Sequence, residues 1–186
     1  LHTLDISLDG FNPKESPVAF PAALTRLNFY ARRPALGFRL ELPSQLVYLT
    51  FKIYEPYSQQ WWPDTLPSTL RELHLSSLNI SILHALPSSL RKLTFLDAGG
   101  DVFANSFGPL PATPELQHVE IRSGYPTVVC NKLVTLLPPS ITSLTLDVAP
   151  NANLTYDCLP HLPSHLRHLS LPQDLQLEWT KMRKKS

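Results

Sequence analysis

Seven histidines and two cysteines carry most of this chain's scope for metal or acid–base chemistry. His161, His165 and His168 lie close together, at a spacing that would put two metal ligands on one face of a helix. Pro160 and Pro163 bar that helix, because proline removes a backbone donor and clashes with the preceding turn. The three read as ordinary surface histidines. Cys130 and Cys158 have no Cys-x-x-Cys neighbour, so no zinc site is expected. Gly99-Gly100 lacks the Lys-Ser/Thr that completes a phosphate cradle, and no Gly-x-Ser-x-Gly nucleophile elbow occurs. His74, His118 and Glu120 remain as one set for hydrolytic or metal-assisted chemistry. Whether they meet depends on the elements that carry them.

Those elements come from a repeated phrase. Leu66-Pro67-Ser68-Thr69-Leu70-Arg71-Glu72-Leu73-His74-Leu75 returns as Leu86-Pro87-Ser88-Ser89-Leu90-Arg91-Lys92-Leu93-Thr94-Phe95. The L-P-x-x-L-x-x-L-x-L frame recurs from Leu42, Leu137 and Leu162. Degenerate copies run from Phe20-Pro21 and from Pro111 to Leu116, and Leu1…Leu4-Asp5-Ile6 is a headless copy. Anchored on Leu1, Leu24, Leu46, Leu70, Leu90, Leu116, Ile141 and Leu166, successive units are 20 to 26 residues long. That period is in the range of leucine-rich repeats. The L-x-L core alternates apolar with polar, as a strand with one buried face does. A single such strand cannot bury its apolar side, whereas stacked copies can. The predicted fold is an α/β leucine-rich-repeat solenoid, mainly β in practice, with a curved parallel sheet of about eight short strands on its concave side. Proline, 19 of 186 residues, is about twice its ordinary usage and precedes each strand. The convex side is therefore expected to be irregular, with few or no long helices.

The frame resembles the FNIP repeats of amoebae and their relatives, whose units read roughly L-P-x-S-L-x-x-L-x-F. Leu86 to Phe95 matches closely and Leu42 to Phe51 nearly so. It is also similar to the L-P-x repeats of bacterial effector proteins. The resemblance covers the chain through about Leu171 and implies a leucine-rich-repeat fold. It departs at the ninth position of the unit, usually Asn in the general pattern, which here reads Asp9, Arg32, Tyr54, Leu78, Ala98, Gly124, Ala149 and Asp174. An asparagine ladder cannot satisfy the backbone where each strand ends.

The solenoid is placed at 1–175 and a short basic tail at 176–186. The chain opens at Leu1 inside a repeat, so it reads as a fragment of a longer protein. A net charge of +1 supplies no general attraction to nucleic acid or membrane, and no apolar run is long enough to span a bilayer. Sparse cysteine points to a reducing, intracellular compartment. The sequons Asn79-Ile80-Ser81 and Asn153-Leu154-Thr155 point the other way, to secretion as the alternative. The stretch Tyr54 to Pro63, with Trp61 and Trp62, reads as plugging the convex side or as an aromatic patch for a partner.

Stacking the strands makes columns of outward residues. The third position of the unit reads Thr3, Arg26, Tyr48, Glu72, Lys92, His118, Ser143, His168; the fifth reads Asp5, Asn28, Thr50, His74, Thr94, Glu120, Thr145, Ser170. The seventh reads Ser7, Tyr30, Lys52, Ser76, Leu96, Arg122, Asp147, Pro172. His74 and Glu120 then share a column two strands apart, roughly 9–10 Å, too far for a hydrogen bond. No catalytic residue, cofactor or metal is expected. The predicted function is a monomeric, non-catalytic module that binds a protein partner across the concave face. Its contacts are Arg26, Tyr30, Tyr48, Lys52, Glu72, His74, Lys92, His118 and Arg122, because Tyr and Arg are favoured anchors and extended concave surfaces are what solenoids offer. The competing reading is a solvated face whose charges only pair across the ladder, as Glu72 with Lys92 could. The alternative, from the resemblance, is the substrate-recognition arm of a ubiquitin ligase whose other domain lies outside this chain.

Overall fold

Six of the repeats start with a turn headed by a proline carbonyl. In the computed structural model, the N–H groups of Leu24, Leu46, Leu70, Leu90, Ile141 and Leu166 donate to the carbonyls of Pro21, Pro43, Pro67, Pro87, Pro138 and Pro163. Proline's missing N–H costs nothing there, because only its C=O is used. In the sixth repeat the N–H of Leu116 reaches Thr113 instead. The frame read from Pro111 is therefore displaced, and Thr113 takes the proline position. The structure describes residues 1–9, 18–32, 40–54, 63, 65–76, 86–96, 113–123, 134–135, 137–148 and 160–171. Trp61, Trp62, Cys130, Cys158, Asn79, Asn153, Gly99-Gly100, most of the convex side and the tail from 172 lie outside them.

The strands follow the turns. They are β1 (Thr3–Asp9), β2 (Val18–Ala19), β3 (Arg26–Arg32), β4 (Leu40–Glu41), β5 (Tyr48–Tyr54), β6 (Glu72–Leu75), β7 (Lys92–Phe95), β8 (His118–Ser123), β9 (Ser143–Val148) and β10 (His168–Ser170). Eight form one sheet in the order β1-β3-β5-β6-β7-β8-β9-β10, with every pairing parallel. The short strands β2 and β4 pair separately. Helix among the described residues amounts to single turns at 134–135 and 160–161, too short to cross a membrane.

The inward residues form a continuous apolar stack. The anchors Leu24, Leu46, Leu70, Leu90, Leu116 and Ile141 are completely buried. Leu27, Leu49, Leu73, Leu93, Val119 and Leu144 form the next layer, with Phe29, Phe51, Leu75, Phe95, Ile121 and Leu146 beyond it. The rings of Phe29 and Phe51 stack with centroids 5.3 Å apart. Burial thins at both ends: Leu4, Ile6 and Leu8 on β1, and Leu166 and Leu169 by β10, are only partly covered. This is the pattern of a stack whose units bury themselves against neighbours.

Hydroxyls tie successive repeats together at the turns before β6 and β7. Thr69 donates through Oγ1 to the carbonyls of Ser44 and Leu46, and Ser89 donates to Leu70 at 2.8 Å. Both stand just before their anchor leucine, which accounts for the Ser/Thr in the repeated phrase. At the end of β6, Ser76 Oγ accepts from the N–H of Ile53 at 2.9 Å. Ser76 is thereby folded against β5 and buried, not presented outward as its column implied. The seventh-position column is interrupted there, because β6 and β7 end at Leu75 and Phe95. A further staircase runs along the strand starts. The carbonyls of His2, Thr25, Val47, Arg71, Arg91, Gln117 and Thr142 each accept two N–H groups from the following repeat.

Candidate interaction face on the sheet

The register aligns Thr3, Arg26, Tyr48, Glu72, Lys92, His118, Ser143 and His168 in one row. Asp5, Asn28, Thr50, His74, Thr94, Glu120, Thr145 and Ser170 make the row beside it. Both agree with the columns read from the repeat. All the candidate contact residues lie on this outer face, since they alternate with the buried positions.

In the N-terminal half the face is an aromatic platform. The Arg26 guanidinium lies 3.8 Å from the centroid of the Tyr48 ring, and that ring meets the His74 imidazole at 5.0 Å and 41°. Thr50 donates its hydroxyl to Tyr48 Oη at 3.0 Å, fixing the far end of the ring. Lys52 Nζ sits 5.7 Å from the centroid of the Tyr30 ring. An Arg or Lys over a tyrosine face is held by the ring quadrupole, and the contact orders both side chains.

In the C-terminal half the face is ionic. Glu120, largely buried, accepts from Arg122 Nε at 2.6 Å and has Lys92 Nζ at 3.9 Å. Glu72 and Lys92 do not pair: Lys92 turns to Glu120, and Glu72 instead has His74 Nε2 at 3.7 Å. Burial, and then the Lys92 charge, hold the His74 pKa below the ordinary imidazole value, against the opposing pull of Glu72 and Glu120. The imidazole is therefore mainly neutral at pH 7.

The fifth-position row is more enclosed than its polar residues suggested. Thr50 and Thr94 are 4% and 1% exposed. Thr94 also stands between His74 and Glu120, so those two are not brought together for acid–base work. His161, His165 and His168 occupy a short turn, the proline-headed turn and β10 respectively. Among the described residues, no three His, Cys, Asp or Glu side chains gather in a way that could hold a metal ion. Arg71, Glu72, Arg91, Lys92, His118 and Glu120 line an open depression of about 660 Å³ over β6 to β9. Arg71 and Arg91 were missed in the sequence. They precede the strands, yet the adjacent Glu72 and Lys92 columns could have pointed to them.

These features define a leucine-rich-repeat solenoid: parallel strands one per repeat, an apolar stack behind them and a polar sheet face in front. The crystal structure of CroV588, a circular leucine-rich-repeat protein, is similar to it, with a TM-score of 0.55 and 22% identity over 90% of this chain. The matched region is 23% of the CroV588 chain, so this chain spans about a quarter of that protein's length. No protein-family model matches the chain, and no curated protein matches it in sequence. The likeness is therefore one of fold.

Proposed function

We propose that this chain is a protein-interaction module that binds its partner across the outer sheet face, centred on Arg26, Tyr48, Glu72 and Lys92. One observation carries the reading: Arg26, Tyr48 and His74 are already stacked on an open sheet. Rigid aromatic and arginine anchors are what dominate protein interfaces, because little side-chain entropy is lost when they are covered. Tyr30, Lys52, His118 and Arg122 flank this centre. Leucine-rich-repeat folds commonly act as scaffolds for protein binding, which supports the same reading and a non-catalytic role. Within that class we assign the repeats to the FNIP-like type, supported by Leu86 to Phe95 and Leu42 to Phe51. An intracellular, monomeric module agrees with the two widely spaced cysteines.

Affinity capture from a proteome, comparing wild type with Tyr48→Ala and Lys92→Ala, tests the proposal. A partner retained by wild type and lost by folded variants is the expected result. Equal capture by all three proteins would remove the sheet face as the binding surface. Attachment of the same repeats to an F-box or ligase domain in the parent gene would make that partner a ubiquitination substrate.

A further inference from the structure

The strands β3 and β5 are joined on their outer side by two reciprocal contacts. Arg26, on β3, lies over the ring of Tyr48 on β5, and Lys52, on β5, lies over the ring of Tyr30 on β3. The register sets Arg26 opposite Tyr48 and Tyr30 opposite Lys52, so the two contacts are four residues apart along one seam. At the rise of a parallel strand that is about 13 Å. Between them, Asn28 donates its amide to Asp5 and Thr50 donates its hydroxyl to Tyr48 Oη. The floor of the seam is therefore already hydrogen-bonded.

The two cations are not neutralised. Neither Arg26 nor Lys52 has a carboxylate partner among the described residues, and β3 and β5 themselves carry no Asp or Glu. The carboxylates on the flanking strands are engaged elsewhere: Asp5 accepts from Asn28, and Glu72 lies beside His74. At 3.8 Å from the centroid, the Arg26 guanidinium meets the Tyr48 ring through its flat face. That leaves the N–H groups at its edge for a planar anion. The rings hold both cations in place, so little side-chain entropy is lost when a ligand covers them.

We propose that this seam seats an extended segment of the partner, lying along β3 and β5 and carrying two carboxylates four residues apart. One carboxylate pairs with the edge of the Arg26 guanidinium and the other with the Lys52 ammonium. The proposal rests on the sheet face being the binding surface and specifies the chemistry of what binds there. An extended chain rises about as far per residue as the strands beneath it, so its positions i and i+4 reach both cations. The same two positions on a helix are separated by about 6 Å along its axis and reach only one. Asp5 and Asp9 on β1 and Glu72 on β6 wall the seam with negative charge. Those walls disfavour a polyanion such as nucleic acid, whereas two discrete carboxylates fit between them.

Fluorescence anisotropy with labelled, capped Thr/Ser peptides reads this directly. One peptide has two glutamates four residues apart, a second has the same two glutamates adjacent, and a third has glutamine at both positions. The first should bind about tenfold more tightly than the second, which can satisfy one cation only, and more tightly still than the third. Arg26→Gln and Lys52→Gln should each weaken the first peptide about tenfold, so that each variant binds the first and second peptides equally. Loss of the spacing preference is a readout that a merely structural side chain would not move. Arg167→Gln, just before β10, should leave the preference intact. Equal binding of the first two peptides by wild type, or a preference retained in either seam variant, would overturn the proposal. So would tighter binding of a single-stranded oligothymidylate than of the first peptide. If the first peptide fails while Tyr48→Ala still loses the captured partner, the acidic-segment inference falls and the proposed function stands.

Discussion

The Thr69 hydroxyl donates to the carbonyl of Leu46, one full repeat earlier, at 2.8 Å. The same hydroxyl reaches Ser44 at 2.7 Å, so one side chain ties two backbone acceptors of the preceding turn. Ser89 donates to one such acceptor, the carbonyl of Leu70. In this chain a hydroxyl before the anchor leucine supplies a bond between successive repeats.

Removing these hydroxyls should therefore loosen neighbouring repeats without emptying the core. Thr69→Val and Ser89→Ala should each cost about 1 kcal/mol, the usual worth of such a bond. Denaturant melts measure it. A neutral result for both would mean that water replaces the hydroxyls at no cost.

Alternation along the strands should appear as alternating cost. Leu73→Ala and Leu93→Ala remove completely buried side chains and should cost on the order of 2–5 kcal/mol each. Glu72→Ala and Lys92→Ala, one residue away and partly exposed, should cost less than about 1 kcal/mol. A cost profile with a three-to-four-residue period would contradict the strands.

Stability should fall on mild acidification through His74. Its folded pKa is lowered, by burial first and by Lys92 second, so the unfolded chain takes up the proton first as pH drops. The loss begins near the ordinary imidazole value of 6.5 and ends once pH passes the lowered folded value. Tyr48, Glu72, Lys92, Thr94 and Glu120 all surround the ring, and the two glutamates limit the effect. Comparing wild type with His74→Asn over this window isolates it: the variant should lack the wild-type decline. A decline of the same size in both proteins would assign it elsewhere.

The ends should open first. Leu4, Ile6 and Leu8 on β1 are half-buried, whereas Leu49 and Leu73 are enclosed from both sides. Amide hydrogen exchange should be slowest in β5, β6 and β7 and fastest in β1 and β10. Leu4→Ala should cost less than Leu49→Ala. Uniform protection along the sheet would mean that the stack unfolds as one unit.

The repeat alone determined the eight strands of the main sheet, their order, their parallel register and the apolar stack behind them, but not the separate β2–β4 pair. Each L-x-L carries its own period and each unit has the same length to within a few residues, so Arg26, Tyr48, Glu72 and Lys92 had to fall in one row. The turn at Thr113 was harder to see, because the proline that marks the frame elsewhere is absent from that position. Tertiary structure decided what the rows do. Register sets which backbones adjoin, but long side chains choose among several neighbours, and those choices turn on angstrom differences in reach and burial. Lys92 thus went to Glu120 and not to Glu72, and Arg26 went to the Tyr48 ring. Thr50 found a partner while Thr94 in the same row did not, because only Thr50 has a tyrosine hydroxyl beside it. Likewise Ser76 left the outer face once β6 ended, since its hydroxyl could satisfy Ile53. A periodic sequence specifies a lattice of positions, and the contacts across that lattice depend on the three-dimensional packing of unlike side chains.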